Sequence, residues 1–278
     1  MTKETQISTR TARRGYVRTA IAIVLLVIML FPIYWMVNAS FQASGNTLNA
    51  SLIPTDPSLA GYEVPIRDQG RNLLTSLLIA SGTVVITLLV ATPCAYALAQ
   101  FRFGWVGVAL LLILITQMIP GIVIANGLYS MYESMGLLNS IPGLIFANST
   151  AAVPFAILIM RSFMLGVPPS IVEAARVDGA GLFRSFISIV VPIARNSLIT
   201  AGLFTFLFAW SDFIFALTLT TKGDVRPVTL GIFTYLGAQV QNWGPVMATA
   251  TLSAIPAIVL LVIAQKYIAA GATGGAVK

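Results

Sequence analysis

Residues 73–98 read LLTSLLIASGTVVITLLVATPCAYAL and contain no Lys, Arg, Asp or Glu. A helix needs about 20 predominantly apolar residues to cross the hydrocarbon core of a membrane. This segment is long enough, and it therefore predicts a transmembrane helix. The alternative is the core of an unusually apolar globular protein, which the length of the uncharged run argues against.

Similar uncharged stretches recur along the chain. Hydrophobic residues make up 57% of the 278 residues and charged residues only 9%, whereas a soluble domain carries about 25% charged residues. A soluble domain so poor in charge could not cover its surface with polar groups. We therefore predict an all-α membrane protein with six transmembrane helices, over residues 19–37, 73–98, 106–125, 142–165, 197–220 and 245–268.

The positive charges indicate the orientation of the chain. Twelve Lys and Arg residues lie on one set of loops and tails, and four lie on the other set. Cytoplasmic loops of membrane proteins are the ones enriched in Lys and Arg, so we expect both termini in the cytoplasm. The net charge of +7 is then explained by topology rather than by nucleic-acid binding. The predicted regions are a basic cytoplasmic tail (1–18), a six-span domain (19–268) and a C-terminal tail (269–278).

The longest cytoplasmic loop, residues 161–196, contains a short predicted helix. Residues 167–180 read VPPSIVEAARVDGA, in which Ser170 stands three positions before Glu173. This spacing is that of a capping box at a helix N-terminus, and Gly179 is the residue type that commonly closes a helix. The pattern predicts a separately capped helix over residues 171–178. An amphipathic stretch over residues 182–190 follows, and Pro192 then turns the chain toward the next span.

An exposed helix of this kind is suited to contact with another protein. Ala174 and Ala175 would let a partner backbone approach closely, and Glu173, Arg176 and Asp178 would supply charge pairing. On spacing alone, an alternative stays open, in which Glu173 only caps its own helix and the loop rests on the membrane surface.

The same loop resembles a known motif. Its Glu173-Ala174-Ala175, Asp178-Gly179-Ala180 and Val191-Pro192 groups are similar to the "EAA" loop of ABC-importer permeases, although Val191 and Asn196 depart from the usual leucine and proline. In that family the loop forms a coupling helix that docks on the ATP-hydrolysing subunit. The resemblance implies a type I importer permease fold. It also implies an ATPase-coupling role for Ser170, Glu173, Ala174, Ala175, Arg176, Asp178, Gly179 and Pro192.

Further segments resemble the carbohydrate-type permeases. They are residues 135–140 (MGLLNS), 153–155 (VPF), 210–213 (WSDF) and 243–248 (WGPVMA). They point to the MalG-like subunit of bacterial maltose-type importers in the inner or plasma membrane. The resemblance implies four kinds of partner: a MalF-like second permease, an ABC ATPase dimer, an extracytoplasmic solute-binding protein and a sugar. It also favours contact between the last outer loop, residues 221–244, and the binding protein, although that loop could be a simple connector.

Several polar and aromatic residues in the spans are candidates for the solute pathway or for contact with the partner permease: Trp210, Ser211, Asp212, Phe213, Gln117 and Asn148. A carboxylate at membrane depth is costly unless it faces a cavity or a partner. Asp212 could therefore accept hydrogen bonds from a sugar, pair with the partner permease, or couple an ion in a self-powered carrier. The aromatic residues could stack on a sugar ring or serve only in packing.

The sequence offers no support for catalysis. It has no histidine, a single cysteine (Cys94) and no phosphate-binding G-x-x-x-x-G-K-[ST] motif. We therefore expect no enzymatic activity and no bound cofactor in this chain, with ATP and Mg²⁺ held by the separate ATPase. Two rival functions stay open: an ABC permease for another solute class, and a secondary transporter driven by an ion gradient.

Overall fold

The computed structural model describes residues 4–42, 51–54, 57–101, 104–236 and 243–274. These residues are almost entirely helical, and the described part has no strand beyond an isolated bridge between Gln42 and Pro57. The all-α prediction is therefore confirmed. Parts of both predicted tails (residues 1–3 and 275–278) and of the last predicted outer loop (237–242) lie outside the described residues.

The helices follow one another in this order: α1 Glu4–Ser40, α2 Ala60–Gln100, α3 Val106–Thr116, α4 Gly121–Met135, α5 Ile141–Met164, α6 Pro169–Val177, α7 Leu182–Ser185, a π-helical turn Phe186–Val190, α8 Val191–Ile193, α9 Arg195–Trp210, α10 Ile214–Leu219, α11 Val228–Phe233 and α12 Gly244–Gly274. Parts of four of these helices (α1, α2, α5 and α12) are long and apolar enough to span a membrane. The number rises to six when each of two bent helix pairs counts as one span; these pairs are α3 with α4 and the segment Leu182–Ile193 with α9. The six-span prediction is confirmed in that sense.

Two predicted spans are broken rather than straight. The span predicted over residues 106–125 consists of α3 and α4, which meet at an angle of 91°. The break ends at Pro120, which has no N–H to continue the ladder of helical hydrogen bonds. The span predicted over residues 197–220 is also interrupted, because α9 ends at Trp210 and α10 begins at Ile214.

The segment between the first two predicted spans, residues 38–72, is partly helical. Helix α2 already begins at Ala60, so residues 60–72 are helical rather than irregular. The side chains of Gln69 and Asn72, two polar residues of this helical part, have hydrogen-bond partners within the structure. Asn72 Nδ2 donates to Gln69 Oε1 (2.7 Å), and Gln69 Nε2 is 3.5 Å from the carbonyl oxygen of Gly231.

The chain divides into two compact units, Met1–Arg67 with Tyr235–Leu252 and Asp68–Thr234 with Ser253–Lys278. In the first unit the end of α1 is joined to the segments that follow it. The Ser40 hydroxyl lies 2.6 Å from the Tyr62 hydroxyl, and Asn38 Nδ2 donates to the Ser51 carbonyl (2.8 Å). Residues 16–33 of α1 are exposed on every side, as expected of a helix that faces lipid.

In the second unit, α5 and α9 pack together with α2 around small residues. Without a hydrophobic driving force between helices in lipid, small side chains that allow close approach stabilise such contacts. The buried residues of this cluster include Ala91, Ala95, Ala156, Met160 and Ala201. A second cluster joins α2, α4, α5 and α10, and a third joins α2, α9 and α11. These contacts fix the positions of the two helix breaks.

The turn between α4 and α5 is tied to the segment after α10. Gly136 closes α4 in the left-handed conformation (φ 67°), and Asn139 also has a positive φ of 56°. Asn139 Oδ1 accepts from the Lys222 N–H (2.7 Å), and the Asn139 N–H donates to the Leu219 carbonyl (3.0 Å). The MGLLNS segment therefore has a structural role as a turn.

Candidate functional site

The short helix α6 is present, but it begins differently from the sequence prediction. Its first residue is Pro169, preceded by an extended Pro168 (ψ 127°), and no side chain caps its N-terminus. Proline suits the first helical position because its missing N–H needs no partner there. Ser170 therefore lies inside the first turn, and the predicted capping box between Ser170 and Glu173 is wrong.

The end of α6 agrees with the prediction. Gly179 adopts a left-handed conformation (φ 86°) after Asp178. The Ala180 N–H donates to the Ala175 carbonyl (2.9 Å), and the Gly179 N–H donates to the Arg176 carbonyl (3.1 Å). This pattern of hydrogen bonds around a left-handed glycine is a Schellman closure. It satisfies the last carbonyls and makes α6 a separate, well-ended helix.

The surface of α6 is uncovered. None of its residues is buried, and Glu173, Ala174 and Arg176 are exposed while Ala175 is half-buried. The side chains of Glu173, Arg176 and Asp178 form no hydrogen bond or ion pair with any other described residue. Val177 is 87% exposed. The charged side chains of α6 and its exposed Val177 are available for contact with another protein.

The segment after α6 is held by a residue that the sequence analysis missed. Ser185 is buried, and its hydroxyl lies 3.0 Å from the Gly181 carbonyl oxygen and 3.5 Å from that of Ala180, so it ties the end of α7 to the residues just before that helix. The only hint of this role in the sequence was a serine within the otherwise amphipathic stretch over residues 182–190. The predicted stretch over residues 182–190 forms α7 and the π-helical turn, and Pro192 lies in α8. The chain bends by 76° beyond Pro192, at Ala194.

Asp212 lies in the break between α9 and α10. Its carboxylate accepts from the N–H groups of Phe215 (3.1 Å) and Ala216 (3.2 Å), so it caps the N-terminal end of α10. The buried Asn148 amide donates to the Leu144 carbonyl of its own helix (2.9 Å). Thr229 Oγ1 donates to the Asp212 carbonyl oxygen (2.6 Å). Asp212 therefore forms a small polar cluster with Thr229, and Asn148 is held within its own helix.

The aromatic residues beside Asp212 are engaged in packing. Trp210 is buried, its Nε1–H donates to the Ser253 carbonyl (3.1 Å), and its ring stacks on Phe206 at 5.5 Å. Phe213 is half-buried and its ring lies 5.3 Å from that of Phe233. Of the two interpretations given for these aromatic residues, packing accounts for the observed contacts of both.

The remaining two candidates, Gln117 and Ser211, line the same cavity of about 350 Å³. Gln117 lies in the break between α3 and α4, and Ser211 lies in the break after α9. The other lining residues are Ala151, Ala152, Phe155, Phe204, Thr205, Leu207 and Phe208. These phenylalanines could not be identified as cavity residues from the sequence, since an aromatic residue in an apolar span gives no signal that distinguishes a cavity wall from a packed core.

The comparisons with known proteins agree with this architecture. The trehalose/maltose transport system permease protein MalG of Thermococcus litoralis is 30% identical over 262 residues, covering 92% of this chain and 94% of that protein. The trehalose transport system permease protein SugB of Mycobacterium tuberculosis is 32% identical over 253 residues, covering 90% and 92%. A bacterial ABC transporter involved in the import of the acidic polysaccharide alginate contains a chain of the same fold. The two match with a TM-score of 0.78 at 21% identity, over 96% of this chain and 98% of that chain.

The family match covers the site region. Residues 88–273 match the family described as binding-protein-dependent transport system inner membrane component. This region includes α6, the polar cluster around Asp212 and the cavity of Gln117 and Ser211. Together with the apolar helices, the match identifies a multi-pass membrane protein with a transport function. The chain belongs to the binding-protein-dependent transport system inner membrane component family.

Proposed function

We propose that this chain is the MalG-like permease subunit of an ATP-driven carbohydrate importer and forms half of its translocation pathway. The carbohydrate assignment is supported by the names of the relatives, which describe transport of trehalose or maltose. The structure with the same fold belongs to an alginate importer. The observation that carries the ATP-driven mechanism is α6, an uncovered and well-ended helix between two membrane helices.

The role proposed for α6 is contact with a separate ATPase. Glu173, Arg176 and Asp178 are free to pair with charges on that subunit, and the exposed Val177 supplies apolar area. Because α6 is a rigid helix with its own closure at Gly179, movement of the ATPase would be passed on to α5 and α9 rather than absorbed. The membrane helices would then alternate between inward-open and outward-open arrangements.

The other partners follow from the same proposal. A second, related permease would complete the pathway, and a solute-binding protein would deliver the sugar on the outer side. Both termini would lie in the cytoplasm, on the side of α6. ATP and Mg²⁺ would be bound by the ATPase, so this chain would hold no cofactor and catalyse no reaction.

Copurification from membranes tests the proposal. Wild-type protein in mild detergent should bring down an ATPase and a second permease. Glu173→Lys reverses an exposed charge on α6 and should lose most of the ATPase while keeping the second permease. Glu133→Lys is the matched control, because Glu133 is equally exposed but lies near the end of α4. Absence of any ATPase with wild type, combined with sugar uptake by the chain alone, would refute the proposal.

A further inference from the structure

Two interrupted helices meet at one cavity. Gln117 stands in the break between α3 and α4, Ser211 stands in the break between α9 and α10, and both residues line the cavity of about 350 Å³. Small-molecule sites in proteins occupy roughly 300–1,000 Å³. The cavity is therefore large enough for a small ligand.

Breaking two helices at the same place leaves backbone groups without helical partners, and a ligand-binding cavity there would account for both breaks. At membrane depth, backbone groups outside a helix cannot bond to water, and such segments are found only where protein covers them or where they line a water-filled cavity. In secondary transporters, discontinuous helices at membrane depth typically form the substrate site. Here the Gln117 side chain donates to the Ala151 carbonyl (3.1 Å), and the Ser211 hydroxyl donates to the Phe208 carbonyl (3.1 Å). Both breaks thus place polar side chains at the cavity.

The wall of the cavity combines aromatic and neutral polar groups. Phe155 and Phe204 are each 40% exposed and Phe208 is 44% exposed. The rings of Phe155 and Phe204 meet edge to face at 5.9 Å. Thr205 also lines the cavity, and its buried hydroxyl has no hydrogen-bond partner among the described residues. Such a wall offers ring surface to C–H groups, and the Gln117 amide and the Ser211 hydroxyl offer hydrogen bonds to O–H groups.

The cavity carries no charge of its own. None of the nine described residues that line it is ionisable. An anionic ligand placed there would lose its hydration without gaining a positive partner, which is strongly unfavourable. The site therefore selects against acidic sugars and sugar phosphates.

We infer that the cavity between the two helix breaks is a subsite for an uncharged sugar ring. Phe155, Phe204 and Phe208 supply its apolar wall, and Gln117 and Ser211 supply hydrogen bonds. The inference rests on the proposed function, and it narrows the solute to neutral saccharides. It assigns the sugar contact to aromatic residues other than Trp210 and Phe213, whose rings are used in packing.

Uptake by the complete importer, reconstituted in proteoliposomes with ATP inside and its binding protein outside, tests the inference. The probes are radiolabelled maltose and trehalose as neutral sugars, and digalacturonate as an acidic one. Phe155→Ala and Phe204→Ala should lower the number of neutral sugars taken up per ATP hydrolysed by about 3- to 10-fold, as expected for losing an aromatic contact. The ATPase rate should stay close to that of wild type, which a general loss of structure would not allow.

Phe146→Ala is the matched control. Phe146 lies on the same helix as Phe155 and is 47% exposed, but it lines a different cavity. It should leave the uptake ratio unchanged. Neutral uptake by wild type with equal ratios in all three variants would overturn the subsite and leave the proposed function intact. Preferential uptake of digalacturonate would do the same. An active ATPase complex that takes up no sugar would overturn both.

Discussion

Gln100, at the end of α2, donates to carbonyls at the end of α5, and Arg161, near the end of α5, donates to a carbonyl of α2. Gln100 Nε2, on the last residue of α2, donates to the carbonyls of Met164 (2.7 Å) and Val167 (3.0 Å) at the end of α5. Arg161 Nε, in the last turn of α5, donates to the Leu98 carbonyl of α2 (3.1 Å). The last carbonyls of a helix lack intrahelical partners, so each side chain supplies a bond that the other helix needs.

This reciprocal pair lies at the base of α6, which begins at Pro169, two residues after Val167. Gln100→Met keeps the length of the side chain but removes both hydrogen bonds. Interhelical hydrogen bonds in membrane proteins contribute about 0.6 kcal/mol on average and up to about 1.7 kcal/mol, so we expect a loss of about 1–2 kcal/mol. Thermal unfolding in detergent measures this loss. A reduced ATPase rate in the assembled importer would show that α6 has lost its firm attachment.

Ser134→Ala is the control for this substitution, because the one bond of the Ser134 hydroxyl to a described residue is within its own helix, to the Met131 carbonyl. Equal unfolding temperatures for wild type and Gln100→Met would show that the two hydrogen bonds contribute nothing measurable.

Gly143 lies so close to the Leu137 carbonyl that there is no space for a larger residue. A Cβ atom at this position would overlap the Leu137 carbonyl oxygen, whereas a Cβ at Gly127 meets nothing within 4 Å. Gly143→Ala should therefore destabilise the protein by about 2 kcal/mol or more, as overpacking typically costs 1–3 kcal/mol. Gly127→Ala, within α4, should be neutral or gain up to about 1 kcal/mol. Unfolding of both variants in detergent tests this, and equal effects would contradict it.

Gly179 and Gly181 provide a second matched pair, at the end of α6. Gly179 has φ 86°, which an L-residue adopts only at a cost of about 1–2 kcal/mol. Gly181 has φ −65° and open space around its Cβ position. We expect Gly179→Ala to loosen the end of α6 and to reduce recovery of the ATPase, and Gly181→Ala to leave recovery unchanged. The opposite ranking would show that the left-handed closure is unimportant for the proposed contact.

The fold was largely predictable because charge is excluded from lipid. Uncharged runs located the spans, and the span predicted over residues 142–165 agrees with α5 within one residue at each end. The closure at Gly179 was also predictable, since a left-handed position favours glycine for local steric reasons. These features depend on nearby residues alone.

The sequence-based predictions were wrong where a short sequence pattern was compatible with two different structures. Pro120 could have kinked a continuous span, but it separates α3 from α4 instead. Ser170 has the spacing of a cap, yet Pro169 already occupies the first helical position. The wall of the cavity brings together Phe155 and Phe204 from two different helices, and such a contact is set by packing rather than by sequence spacing.

The role of Asp212 can be separated from its alternatives by two substitutions. As the cap of α10, its carboxylate accepts two backbone N–H groups. Asparagine retains a side-chain acceptor, whereas alanine has none, and loss of such a cap costs about 0.5–2 kcal/mol. We therefore expect Asp212→Asn to keep most of the sugar uptake, and Asp212→Ala to lower both the unfolding temperature and uptake.

The three earlier interpretations of Asp212 make different forecasts for the asparagine variant. Ion coupling requires the charge, so Asp212→Asn would abolish uptake although the protein remained stable. Charge pairing with the partner permease would reduce recovery of that permease with both variants. Direct contact with the sugar would lower the sugars taken up per ATP without changing stability. Measuring unfolding, copurification and uptake on the same two variants therefore assigns Asp212 to one role, and only the capping role predicts that asparagine preserves all three while alanine lowers the unfolding temperature.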